Sequence, residues 1–425
     1  MALNSSGPLS FGGSTAGQSI NLELGVSATA EASINSAAFR SLAGVPSGAI
    51  SLNNFYGKSS ESYWMATLAG GTDDQPFGIA VDSSGNSYVC GYSNASGVER
   101  MQLAKYNASG VIQWQRNLTP SNFAYGVAVD SSSNVYICGV GNGYQIQIAK
   151  YDTSGTIQWQ RKLVPGSGNS YGNSIALDSS ANVYICGKSY DTNFGSQGIQ
   201  VAKYDTSGTI QWQRILQNSF ASVIDDGKGV AVDSSGNVYV CGYGAPTEFS
   251  AEYPAYLVKY NTSGALQWQR KLHSTYKDFA YGVAVDSSSN VYLVGESDYL
   301  NPAGITRGII AKYNSSGTIQ WQRSLGNAAA QSRTQSVVAD SSGNIYICGV
   351  TSIGVGSMQI AKYDTSGNIQ WQRNIANGTT VEGYSIAQLS NNIYVTGRIR
   401  LSGNNDFLIA KLPTDGSLTG VYTIG

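Results

Sequence analysis

The chain has 425 residues, more than one ordinary domain holds, with 41% hydrophobic but only 12% charged side chains. Its 51 glycines and 28 tyrosines describe a turn-rich all-β protein whose polarity comes from Ser, Asn, Gln and Thr. A formal net charge of −1 excludes a bulk field for nucleic acid or for an anionic membrane.

Residues 1–60 stand outside the repetition that fills the rest. They open without a basic n-region or an apolar h-region, so no secretory signal is expected, and no run is apolar enough to insert in a membrane. Ile20, Leu22 and Leu24 alternate as a strand, 34–42 reads as a short helix, and 49–56 as another strand. That core is thin for an independent α+β domain, which predicts packing on a neighbour or homo-oligomerisation.

The words Gly12-Gly13-Ser14-Thr15, Arg40-Ser41-Leu42-Ala43-Gly44 and Phe55-Tyr56-Gly57-Lys58 make this segment resemble the N-terminal module of tail fibres and other tail proteins of tailed bacteriophages. The resemblance covers nearly all of residues 1–60. It implies a virion-attachment module that contacts other tail or baseplate proteins. It also implies a protein made in the host cytoplasm and carried in the virion tail.

Residues 61–425 are built on a period of about fifty residues. The unit Tyr125-Gly126-Val127-Ala128-Val129-Asp130 turns through Ser131-Ser132-Ser133-Asn134 and returns as Val135-Tyr136-Ile137-Cys138-Gly139. A variable connection leads to Ala149-Lys150-Tyr151, an Asp152-Thr153-Ser154-Gly155 turn, and a strand carrying Trp159 and Arg161. Four short alternating strands around two tight corners make one blade of a β-propeller. Inner strands recur at 77–82, 125–130, 173–178, 228–233, 281–286, 335–340 and 384–389, which predicts seven four-stranded blades.

Outer strands exceed inner ones by one, because 63–68 precedes the first blade and 418–424 follows the last. Closing the ring removes the unpaired sheet edges, so the Trp64 strand is expected on the last blade, with 418–424 beside it or competing for the place. Trp64, Trp114, Trp159, Trp212, Trp268, Trp321 and Trp371 recur blade by blade, as wedges between blades require and a single carbohydrate site does not. Lys150, Arg161 and their copies are expected to snorkel or to pair with the Asp130-type carboxylates. The Asp-Thr-Ser-Gly-x-x-x-Trp pattern resembles the tryptophan-docking repeat of quinoprotein dehydrogenases, and the Gly-x-Ala-x-Asp pattern resembles bacterial propeller repeats. Over residues 62–425 both imply the propeller; the acidic calcium site and catalytic Asp of the quinoproteins have no counterpart in the pattern.

Cys90, Cys138, Cys186, Cys241 and Cys348 share one place in the repeat and are odd in number, so they read as small buried apolar residues. His273 is the only histidine, which rules out multi-histidine metal centres, and Asp-Ser-Ser-Gly-Asn lacks the ligand alternation of a calcium loop. No metal and no cofactor are expected. Asp225-Asp226, Glu248, Glu252 and Asp278 are the carboxylates from which a glycosidase or lyase would have to be built, although adjacent loop acids are usually solvated.

The two tight corners of each blade fall on one rim; the connections that vary in length fall on the other, where recognition is expected. Its candidate ligand-binding residues are Tyr190, Asp191, Phe249, Tyr253, Tyr276 and Tyr299 in the loops. At the channel mouth, five residues before the inner Asp, or before Leu389 in the last unit, stand Phe77, Tyr125, Asn173, Lys228, Tyr281, Gln335 and Tyr384. Such aromatics with amides suit a host-surface glycan or protein, or they plug the ring; both readings stand. The expectation is a tail fibre or tail-tip component that presents this rim to the host. The alternatives are a propeller polysaccharide depolymerase and a purely structural or decorating virion propeller.

Overall fold

The computed structural model describes residues 63–68, 73–95, 98–118, 121–163, 168–191, 196–216, 225–244, 253–272, 277–297, 306–325, 331–351, 356–376, 380–401 and 403–417. The attachment module expected over 1–60, His273, Phe249, Tyr276, Tyr299 and the 418–424 strand lie outside these residues. The described part is an all-β propeller of four-stranded antiparallel units.

The second unit is representative. Ser121–Val129, Val135–Gly141, Gln145–Tyr151 and Ile157–Leu163 pair in that order. Its first corner is built by Asp130, whose Oδ1 accepts the amides of Ser132 and Asn134 at 2.9 and 2.8 Å. The other carboxylate oxygen takes Asn134 Nδ2 at 2.9 Å and the hydroxyl of Tyr136 at 3.1 Å. A side chain that satisfies the turn's own amides holds a tight corner without help from outside. Asp82, Asp178, Asp233, Asp286 and Asp340 do the same in their blades.

Among the described residues these carboxylates do not pair with the repeated Lys and Arg, which corrects one of the two expected alternatives. The turn saturates them first. Lys150 Nζ lies 5.1 Å from the Tyr136 ring centre instead. Arg161 reaches into the next blade, where Nε donates to the Gly208 carbonyl at 3.0 Å and Nη2 to that of Ser207 at 3.0 Å.

The second and third strands are buried on both faces because each blade is covered by its neighbours. The apolar core is a series of clusters that straddle blades. One joins Tyr88, Cys90, Met101 and Leu103 of the first blade to Val127, Val135, Ile137 and Tyr151 of the second. Another joins Val89, Ala104 and Tyr106 to Leu68, Tyr394, Phe407 and Ile409 at the junction of first and last. Each fully buried Tyr of the second strand removes about 150–250 Å² from water, a gross gain of several kcal/mol at about 25 cal/mol/Å². The five cysteines are free, buried thiols, and Cys90, Cys138, Cys186 and Cys241 belong to such clusters.

The inner strands Asp73–Val81, Ser121–Val129, Tyr171–Leu177, Asp225–Val232, Asp278–Val285, Ser332–Ala339 and Val381–Leu389 lie side by side, and the last returns to the first. Seven four-stranded blades were expected. Hydrogen bonding gives six sheets among the described residues, five of four strands and one of eight. The larger one arises because the first and last units are joined by a single parallel bridge, Asp73 to Asn405. Trp64–Leu68 pairs antiparallel with Asn404–Pro413 and so completes the last unit, as the strand count required.

Candidate functional site at the channel mouth

Inner strands start earlier than their apolar pattern suggests, because each continues through a β-bulge. The register shifts fall between Pro76 and Gly78, Ala124 and Gly126, Gly172 and Ser174, and Gly227 and Gly229. They recur between Ala280 and Gly282, Thr334 and Ser336, and Gly383 and Ser385. The residue skipped in each pairing is Phe77, Tyr125, Asn173, Lys228, Tyr281, Gln335 or Tyr384. A bulge leaves one residue unpaired and re-aims its side chain. Here all seven line one central cavity.

The bulge imposes a requirement on the facing strand. A Cβ on Gly139 would lie 1.9 Å from the Phe123 carbonyl oxygen, and one on Gly295 would lie 1.8 Å from that of Phe279. The glycine at this place in the second strand of each blade is therefore the footprint of the bulge opposite it.

The cavity narrows inward to a space of about 180 Å³ between the inner strands. Toward the loop-bearing rim it opens to about 500 Å³, where Tyr171, Lys188 and Asp226 complete the wall. One arc is aromatic: Phe77 lies 5.0 Å from Tyr125 and 5.9 Å from Tyr384, with Phe123 stacked 6.0 Å beyond Tyr125. The opposite arc is polar. Asn173 Nδ2 donates to Asp226 Oδ1 at 2.6 Å, and Lys228 Nζ lies 2.8 Å from Asp226 Oδ2. Burial alone would lower the Lys228 ammonium, but Asp226 and Tyr243 outweigh it and hold its pKa above the ordinary value.

Two further ion pairs stand beside the cavity. Arg333 Nε donates to Glu296 Oε2 at 2.8 Å, while Tyr281 gives its hydroxyl proton to Glu296 Oε1 at 2.6 Å. Arg398 Nη2 donates to Glu382 Oε1 at 2.7 Å, and the Tyr384 hydroxyl bonds to the other oxygen of Glu382. Glu296, Arg333, Glu382 and Tyr384 wall a side groove of about 310 Å³. Burial and then the carboxylate partner push the Tyr281 and Tyr384 phenols far above their ordinary pKa. Both are held as neutral donors, and neither is prepared to remove a proton from a substrate.

The loop candidates fare differently. Tyr253 bridges to Lys277, whose ammonium lies 5.5 Å from its ring, and its ring lies tilted 5.9 Å from that of Phe279, so it braces the rim. Tyr190 is half-buried, covers Gly168 and pairs with Gln197. Asp191 pairs through its backbone with Ser196. Asp225, Asp226 and Asp278 are buried, not solvated as expected, because they lie in the inner strands Asp225–Val232 and Asp278–Val285 and not in loops. Glu248 and Glu252 lie outside the described residues. Among the described residues no three His, Cys, Asp or Glu side chains converge as metal donors.

Tyr171, Lys188, Glu296, Arg333, Glu382 and Arg398 escaped the sequence reading. Their signal was present. Tyr171, Asp226, Arg333 and Glu382 each stand two residues before a bulge, and Lys188, Glu296 and Arg398 each follow the footprint glycine.

The seven tryptophans lie at the outer edge and not at the mouth. Each is half-buried, and its indole Nε1 donates to a turn carbonyl of the adjoining blade: Trp64 to Ala108, Trp114 to Thr153, Trp159 to Thr206, Trp212 to Thr262, Trp268 to Ser315, Trp321 to Thr365 and Trp371 to Thr414, all at 2.9–3.2 Å.

Comparison with known proteins places the chain among propellers. A model described as β-propeller repeat matches residues 66–97 and 158–195. A model described as outer membrane protein assembly factor BamB matches residues 197–416, just over half of the chain. A WD repeat-containing protein of Acanthamoeba polyphaga mimivirus is 30% identical over 115 residues, which are 22% of this chain and 8% of that protein. The chain thus matches a small part of that relative's length. The polysaccharide lyase Uly1 superposes with a TM-score of 0.52 at 9% identity, over 81% of this chain and 90% of its own. A puromycin hydrolase superposes with a TM-score of 0.54 at 11% identity, over 80% of this chain and 52% of its own. At such identities the likeness is one of fold.

Proposed function

The chain belongs to the family described as outer membrane protein assembly factor BamB, and from that premise we propose a propeller that binds a surface saccharide in the mouth of its channel. The observation that carries this reading is the bulge ring: seven side chains of five types, one per blade, are turned out of their strands toward a single cavity. Ring faces on one arc offer stacking surfaces for sugar rings, and Asn173 and Gln335 on the rest of the wall can read hydroxyls. Neutral phenols that already donate to carboxylates favour holding a glycan over cleaving one, which sets binding ahead of the depolymerase reading.

The setting we propose is the virion of a tailed phage, with residues 1–60 mounting the propeller on other tail proteins. Its support is the tail-fibre-like wording at 12–15, 40–44 and 55–58. Two experiments test the two parts. The intact protein is screened on a microarray of bacterial surface glycans, and hits are re-measured with Phe77→Ala and Tyr125→Ala. Loss of about tenfold or more in affinity is expected from each; unchanged affinity in folded variants sinks the mouth as the site. Deleting residues 1–60 is expected to leave a folded propeller that no longer enters particles. Incorporation of the truncated chain sinks the mounting role.

A further inference from the structure

The charges that line the mouth do not cancel. Asp226 is the single carboxylate of that cavity wall, and its two oxygens are taken by Lys228 and Asn173. Lys188 is the other cation of the wall. Its ammonium lies 4.6 Å from the centre of the Tyr171 ring, and no described carboxylate pairs with it. The neighbouring cations Arg333 and Arg398 are each matched by a glutamate.

We infer that the mouth selects an acidic saccharide, with Lys188 as the anchor for one anionic substituent while Tyr171 holds the ammonium in place from behind. This rests on the mouth being the saccharide site. A cation kept half-buried over an aromatic face, without a counter-ion among the described residues, is partly desolvated before a ligand arrives. An incoming anion therefore gains a charge-assisted hydrogen bond and displaces little ordered water. Asn173, in the same blade, has both amide hydrogens taken by Asp226 and the Gly227 carbonyl and offers its amide oxygen to a sugar hydroxyl, while Gln335 offers an amide elsewhere on the wall. A neutral sugar would leave the positive charge uncompensated.

The test uses the intact protein and calorimetric titration with oligogalacturonate, with its carboxyl-reduced neutral counterpart of equal length, and with a sulfated galactan oligomer. Preference for an anionic oligomer by at least about tenfold over the neutral one is expected, weakening as salt rises. Which anionic oligomer wins identifies the substituent as carboxylate or sulfate. Lys188→Met, which keeps the apolar stem over Tyr171, is expected to abolish the preference while leaving binding of the neutral oligomer within about twofold. Lys188→Arg is expected to restore the preference. Equal affinity of the wild type for charged and neutral oligomers overturns the inference and leaves the saccharide reading standing. So does a preference that survives in Lys188→Met. Binding of no oligomer at all overturns the inference and the saccharide reading together.

Discussion

The indole Nε1 of Trp64 donates to the carbonyl of Ala108 at 3.0 Å, and so ties the outer strand of the last blade to the second corner of the first. Six other joints repeat this bond and add an arginine two residues later: Arg116 holds the Gly155 carbonyl at 2.9 Å, and Arg373 holds that of Gly416 at 2.9 Å. At the closing joint that position is Ala66. The seam has the bond from Asn405 Nδ2 to Asp73 Oδ1, at 2.6 Å, in addition.

Ala66→Arg is therefore expected to supply the missing grip on the carbonyls of Ser109 and Gly110. Charge-assisted bonds of this kind contribute about 1 kcal/mol at a half-exposed site, a rise of roughly 1–3 °C in Tm. Trp64→Ala should lower stability by about 2 kcal/mol, less than a fully buried indole because half of it already meets water. Thermal scans of the two variants check both signs; a lower Tm for Ala66→Arg would sink the account of the seam.

Asp233→Ala removes the acceptor of the Ser235 and Asn237 amides and of the Tyr239 hydroxyl, at 2.9–3.0 Å. Tyr239 is fully buried, so its hydroxyl is left without a partner or water. A loss of about 2–4 kcal/mol is expected in urea unfolding, with a smaller loss, about 1 kcal/mol, for Tyr239→Phe. Asp152, at the exposed second corner, should shift the midpoint less when changed to Ala.

Carboxylates in two settings give opposite pH responses. Burial pushes Asp82 up, but hydrogen bonds from Asn86, Tyr88 and Ser84 together hold its pKa below the usual range. Its contribution is present above the unfolded-state value, near 4, and is lost as pH falls through the lower folded value. Asp406 is raised, first by burial and then by the Asp74 charge. It costs stability at neutral pH, a cost that disappears as pH falls below its folded pKa. Asp406→Asn should therefore raise Tm by roughly 1–3 °C at pH 7 and leave it unchanged near pH 3. A gain that persists at acid pH would show that charge is not its origin.

Burial drives all five thiols well above their ordinary pKa. Native protein is expected to give no fast reaction with a thiol-exchange reagent at pH 8, and full reaction in denaturant. A rapidly titrating thiol in the folded state would contradict the clusters described above.

Much of the architecture was legible because tight corners have a narrow chemistry. Asp130 to Asn134 and Asp152 to Gly155 announce the two hairpins, and the surplus Trp64 strand announces how the ring closes. The site was legible only in part. Counting five residues back from the inner Asp, or from Leu389 in the last unit, found the bulged side chains, since a repeat keeps register whatever the bulge does to the backbone. Lys188 and Arg333 were not found because an isolated cation in a variable stretch looks like solvated surface until the fold turns it inward. The pairing of Arg161 was misjudged for a related reason: opposite formal charges on a sequence do not reveal that the turn amides have already claimed the carboxylate.

The joints between blades have one more consequence. Trp159 and Arg161 grip main-chain oxygens of Thr206, Ser207 and Gly208, atoms that every amino acid carries. Such a coupling is indifferent to the identity of the unit it holds. Segments of the gene can then be duplicated, shuffled or exchanged with a relative's without relearning how to fit. A lineage could trade one segment for another and keep a working propeller.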